Sequence, residues 1–109
     1  MKRGDFITVV MQGAYGKPRP ALVIQADFFD EHDSVTFLPV TSDIMEGVPT
    51  VRVTVMPNPD NGLQKPSQVM VDKVMTLPRS KCGEAFGFIN ASAMKEVERR
   101  LAIFLGIAK

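Results

Sequence analysis

The residues with the most constrained chemistry come early in the chain, in Lys17-Pro18-Arg19-Pro20, just before the apolar run from Ala21 to Ile24. Pro18 fixes its own φ, and Pro20 pushes Arg19 out of the helical region into an extended one. Arg19 is therefore aimed. A loop arginine that solvates the entrance to a strand fits this position. So does an oriented guanidinium that matches a phosphate in a bidentate fork. Gly16 and Lys17 strengthen the second reading, because glycine lets backbone approach a ligand and lysine adds positive charge.

Two more places carry usable groups. Thr41-Ser42 follows the apolar-rich segment 34–40 directly. Its hydroxyls can satisfy loop backbone in a turn, or serve as paired donors to a phosphoryl oxygen. Asp72 stands on the side opposite Val69 and Val71. It can be a solvated carboxylate, a partner of Lys73 or Arg79, or a general base if partial burial raises its pKa. His32, in Glu31-His32-Asp33, reads as a surface residue. With one histidine and one cysteine, Cys82, the chain has no cluster for zinc and no internal disulfide, and it fits a reducing compartment. Neither a metal nor another cofactor is expected.

The elements that must hold these groups are mostly short strands. Segments 5–11, 21–26, 34–40 and 67–72 are rich in β-branched and aromatic residues, and 84–89 is a further short strand. Segment 50–55 alternates cleanly, with Val51, Val53 and Val55 on one face and Thr50, Arg52 and Thr54 on the other, as a half-buried antiparallel strand does. Gly13, Gly16, Pro18 and Pro20 mark a loop, 27–33 is an acidic connection with one helical turn, and 57–62 is dense in turn residues. At the end, Met94, Val97, Leu101, Phe104 and Leu105 recur at helical spacing. Asn90 or Ser92 can cap that helix and Gly106 can close it. Strands followed by one helix predict a mainly β fold, a small curved antiparallel sheet or barrel with the C-terminal helix packed on it.

The totals bound the function. A chain of 109 residues predicts a single domain, 1–109, and a net charge of +1 leaves room only for a local basic groove. No stretch is long enough to span a bilayer and the N-terminus lacks a signal-peptide pattern, so a cytoplasmic protein without a membrane partner is expected.

Several landmarks stand in a telling order: RGDFITV, GKPRPALVIQ, LPVTS, NGLQKPSQVMVDKVMT and a closing helix ending LAIFLGI. Together they resemble the MazF/PemK/Kid family of toxin ribonucleases from bacterial toxin–antitoxin pairs, over nearly the whole chain. The resemblance implies an SH3-like β-barrel with a C-terminal helix, a homodimer, and metal-independent cleavage of single-stranded RNA at short sequences. It also implies a cognate antitoxin that lays a flexible acidic C-terminal segment over the dimer. Residue by residue, it makes Arg19 the main catalytic candidate, with Thr41 and Asp72 beside it. Ser42, Gly16, Lys17 and Gln68 are candidates for holding substrate, and Asp5 is a weaker one. Kid-like members have an arginine two residues before the aspartate, where this chain has Met70. The loop before RPA is also shorter than in many members, so base specificity does not transfer. Two alternatives stay open at this point: a CcdB-like toxin that poisons DNA gyrase through residues near the C-terminus, and an SH3-like module without catalysis.

Overall fold

The computed structural model describes residues 1–11 and 16–109; Gly13, one of the loop markers, lies outside them. The strands are β1 (Asp5–Val9), β2 (Arg19–Val23), β3 (Ser34–Thr41), β4 (Arg52–Val55), β5 (Ser67–Met70), β6 (Met75–Pro78) and β7 (Cys82–Phe88), and α1 (Ala91–Phe104) follows. All pairings are antiparallel, in the order β4-β5-β3-β2-β1-β7, with β6 also on β3. The expected architecture, mainly β with a C-terminal helix, is what the chain adopts.

β3 is the organising strand. Its eight residues are long enough to pair β6 along the first half (Phe37 opposite Met75) and β5 along the second (Val40 opposite Val69). The sheet β7-β1-β2-β3-β6 then has its two edge strands joined by the single turn Arg79–Lys81. A link of three residues forces those edges toward each other, so the sheet curls into a barrel-like shape, although β4 and β7 at the ends of the full order do not pair.

Alternation sorts the side chains into two apolar sets. Phe6, Leu22, Leu38 and Val40 point one way and pack with Val53, Val69 and Val97 of the helix. Ile7, Val9, Val23, Val35 and Phe37 point the other way and meet Met75 and Leu77. Burying a large side chain of this kind contributes about 1.5–3 kcal/mol, and in the central strands both faces are used.

The boundaries differ from the sequence reading in instructive places. β1 stops at Val9, and Val10 is exposed. β5 stops at Met70, so Asp72 falls in the turn before β6 rather than in a strand. β6 was not anticipated at all. Its four residues alternate Met75 and Leu77 with Thr76 and Pro78, too short a pattern to stand out from a loop. In α1, Asn90 and not Ser92 is the N-cap: its Oδ1 accepts the Ala93 N–H at 2.8 Å. At the far end Gly106 N–H donates to the Ile103 carbonyl and Ile107 N–H to that of Ala102, the paired bonds of a Schellman motif. Of the expected apolar stripe, Val97 is fully buried, while Met94 and Leu101 pack partly against the core. Phe104 and Leu105 are about half exposed, at 47% and 52%, because that last turn finds no apolar partner among the described residues. Among the described residues, no helix is long and apolar enough to cross a membrane.

On the outer face of α1, Glu96 accepts hydrogen bonds from Arg99 at 2.7 Å and Arg100 at 2.6 Å. These bonds, Arg99 first, hold its pKa at about 2 against an ordinary 4.5, with partial desolvation opposing them. A carboxylate depressed on folding contributes its full stability above its unfolded pKa and loses it as pH falls through the folded one. Urea unfolding at stepped pH should therefore show a shallower loss of stability from pH 4.5 to about 2 in Glu96→Gln than in the parent chain. Equal slopes would show that the cluster does not act on stability.

Candidate active site

The β2–β3 register sets Ala21 opposite Pro39. Continued by two residues, it brings Arg19 opposite Thr41 at the open end of the sheet. Pro20 has no N–H to give to the ladder, which is why the β2–β3 pairing begins only at Ala21. On its other side Arg19 is paired with Val9 of β1. The arginine expected to be aimed is thus anchored on β1, just beyond the last β2–β3 pair, with its side chain exposed. It lines a cleft of about 370 Å³ together with Thr41, Ser42, Ser67 and Met70, and no lining residue is acidic.

Thr41 Oγ1 accepts the Asp43 N–H at 3.0 Å. Its hydroxyl does the turn work expected of it and still has its proton to donate. Ser67 Oγ donates to the Lys65 carbonyl at 2.9 Å. Gly16 has a φ of +74° with open space around it, and Lys17 beside it is exposed.

Gly16 and Lys17 do not line the cleft, and three further candidates lie elsewhere in the single chain. Asp72 does not line the Arg19 cleft. It sits in the turn two residues past Met70, with Oδ2 3.8 Å from Lys73 Nζ. Its Oδ1 is buried with no hydrogen-bond partner among the described residues. Arg79, its other expected partner, instead donates to the carbonyls of Asp30 and His32. Asp5 is at the opposite end of β1 from the Arg19 pairing, about 13 Å away along the strand. There its Oδ2 accepts the Lys2 N–H at 2.8 Å.

Gln68 is buried and its amide is fully engaged. Oε1 accepts from the Met45 N–H and Arg52, and Nε2 donates to the Met45 carbonyl and Thr54 Oγ1. It fastens the loop after β3 to the sheet, and no donor or acceptor is left over for a substrate. Gln68 and that loop line the largest cleft, about 650 Å³, on the side of Arg52 and Arg100. Size therefore does not track the chemistry: the cleft that gathers Arg19, Thr41 and Ser42 is the smaller one.

A neighbouring cleft of about 610 Å³ shares Pro20, Ser42 and Ser67 with that site. Its far wall comes from the NGL segment, whose structural reason is now visible. Fully buried Asn61 accepts the Asn58 and Leu63 N–H groups at Oδ1 and donates to the Met56 carbonyl. Asn58 Oδ1 in turn accepts the N–H groups of Asp60 and Asn61. Gly62, with φ +68°, lies against Phe86, where a Cβ would come within 2.6 Å of the Phe86 carbonyl oxygen.

An arginine and two hydroxyls in a cleft whose described lining has no acidic group are chemically suited to hold a phosphate. Residues 2–105 match the family of PemK-like, MazF-like toxins of type II toxin–antitoxin systems. The chain is 44% identical to a probable endoribonuclease MazF of Mycolicibacterium smegmatis, over 99% of both chains. Toxin MazF-mt6 of Mycobacterium tuberculosis superposes with a TM-score of 0.79 at 25% identity, covering 94% of this chain and 96% of its own. MazF in a MazE–MazF structure from Deinococcus radiodurans gives 0.76 at 28% identity, covering 97% and 95%. The chain belongs to the PemK-like, MazF-like toxin family. It is a MazF-like endoribonuclease toxin, and the gyrase-poison alternative is not favoured.

The two glycines beside the clefts should respond differently to alanine. Gly16→Ala meets open space and should cost about 1–2 kcal/mol for the left-handed backbone alone. Gly62→Ala adds a collision with Phe86 backbone and should cost about 2–4 kcal/mol in urea unfolding. Equal costs would mean that the Gly62–Phe86 contact is not tight.

Proposed function

We propose that the chain cuts single-stranded RNA in the Arg19 cleft by using the RNA's own 2′-hydroxyl as nucleophile, with no metal. The observation that carries this reading is the convergence of Arg19, Thr41 and Ser42 in one cleft without a carboxylate. RNA supplies the attacking oxygen. The protein must align it with phosphorus, remove its proton, neutralise the non-bridging oxygens and let a proton reach the leaving 5′-oxygen. Arg19 neutralises the developing charge from a fixed position, and the Thr41 and Ser42 hydroxyls hold the same phosphate. Arg19 is assigned charge stabilisation and not proton transfer, because a guanidinium with a pKa above about 12 is a poor acid. Asp72 is the proposed proton acceptor: it stands outside the lining of the Arg19 cleft, two residues past Met70, which does line it, and its buried Oδ1 has no hydrogen-bond partner among the described residues. The products are a 2′,3′-cyclic phosphate, or the 3′-phosphate it hydrolyses to, and a 5′-hydroxyl.

The partners follow from the same reading. A homodimer is supported by the exposed Phe104, Leu105 and Ile107 at the end of the helix. A cognate antitoxin with a flexible acidic segment is supported by the MazE–MazF structure of the Deinococcus relative and by the joined clefts of Arg19 and Lys65, whose described lining has no carboxylate. The place of action is the cytoplasm, where the RNA is.

Purified protein should cleave single-stranded RNA in EDTA and leave DNA of the same sequence intact. Arg19→Ala should lower kcat by about 10²–10³-fold with an unchanged unfolding midpoint, since the side chain is exposed. Full activity in that variant would remove the central claim. Asp72→Asn tests the proton acceptor separately: wild-type kcat across the pH profile would move that role to another group.

A further inference from the structure

The cleft adjoining the candidate active site is itself built for a nucleotide. We propose that Phe86, Gln64 and Lys65 form a subsite for the unpaired nucleotide next to the scissile phosphate, with its base stacked on the Phe86 ring. The inference rests on the RNA-cleavage reading and names the residues that determine which bases flank the cut.

Four observations converge on it. The subsite is continuous with the site of reaction, because Pro20, Ser42 and Ser67 line both clefts. A nucleotide held here is therefore the immediate neighbour of a phosphate held by Arg19.

Phe86 is 38% exposed and presents a ring toward the cleft. From behind, that ring is stacked on buried Phe6 at 6.1 Å between centroids and 22° between planes. Gly62 lies hard against the Phe86 backbone and ring edge. An aromatic side chain held this firmly loses little freedom when a base stacks on it, and stacking platforms of this kind serve single-stranded nucleic acids.

Gln64 and Lys65 are exposed and line the same cleft, on a loop made stiff by the Asn58–Asn61 bonds. The Gln64 amide has a donor and an acceptor to offer a base edge, and the Lys65 ammonium suits the next phosphate. Finally, neither cleft is lined by a carboxylate, so the charge of Arg19 and Lys65 is not locally cancelled along the path a polyanion would follow.

The test uses the full-length protein with single-stranded RNA carrying randomised bases around the cut, and the same RNA with a 2′-deoxy residue at the cut as an uncleavable binding probe. Phe86→Leu keeps an apolar body against Phe6 and removes the aromatic face. It should raise KM and the Kd of the deoxy probe about tenfold, with kcat within about twofold of the parent. Gln64→Ala, on an exposed loop where folding is not at risk, should relax base preference at a single position beside the cut. Lys65→Ala should weaken binding of all sequences and flatten its salt dependence. Unchanged KM and unchanged base preference in both Phe86→Leu and Gln64→Ala would overturn the subsite while leaving the nuclease intact. A parent protein that cleaves no RNA would instead overturn the reading beneath it.

Discussion

The site depends first on the register of β3. Its residues face two cores alternately, Leu38 and Val40 into one, Val35 and Phe37 into the other. A slip by one residue would turn every one of those side chains to the wrong face. Two large apolar sets therefore oppose any slippage of β3 against β2, and the same lock holds at its far end. Arg19 and Thr41 come to one cleft because Phe37, Leu38 and Val40 fix the register between them. The geometry of the candidate site is a by-product of core packing, which is a robust way to fix a charge without committing hydrogen bonds to it.

The second cleft is positioned by different physics. The chain between β4 and β5 contributes only a few apolar groups to the cores, so bonds within the loop do the work. Asn61, wholly buried, satisfies its amide entirely on neighbouring backbone, and Phe88 N–H donates to the Asp60 carbonyl to tie the loop to β7. Buried polar networks are favourable when their members find partners, and here both the oxygen and the nitrogen of the Asn61 amide do. The network leaves Gln64 and Lys65 on a stiff rim and needs glycine at 62 because Phe86 occupies the space a side chain would take. Two unrelated devices, apolar register and a polar loop network, thus deliver the two halves of one continuous surface.

How much of this was legible beforehand follows from what each signal encodes. The strands around Phe6, Leu22 and Val53 could be read because alternation writes burial directly into the sequence. Arg19 could be read because proline restricts backbone locally. Gln68 misled because a buried glutamine and a substrate-binding one look the same until its four partner groups, on the loop after β3 and on β4, are in place. Asp72 was placed in a strand that ends two residues sooner. The turn that ends it is forced by β5 and β6 sharing one edge of β3, a tertiary demand with no local signature. Phe86 was missed because an aromatic in a strand reads as core. Only the tight approach of Gly62 and the stacking on Phe6 show that its ring is held at the surface.

Among the described residues no carboxylate lines the joined clefts, and this has one further consequence if inhibition is by the proposed acidic segment. Unopposed positive charge attracts any polyanion, so Arg19 and Lys65 cannot by themselves tell an RNA from an acidic peptide. Charge supplies encounter and affinity for both, and so makes them competitors for one surface. What separates them is the part of the surface that charge does not describe. A flat ring at Phe86, fixed from behind, rewards a base face. The cleft beside Arg52 and Arg100 mixes apolar side chains such as Ile44 and Val48 with the carboxylates of Glu46 and Glu96, and the loop that Gln68 fastens closes over it. A peptide that reached from the Arg19 cleft into this second one would gain contacts that an RNA held at Arg19 and Phe86 does not use.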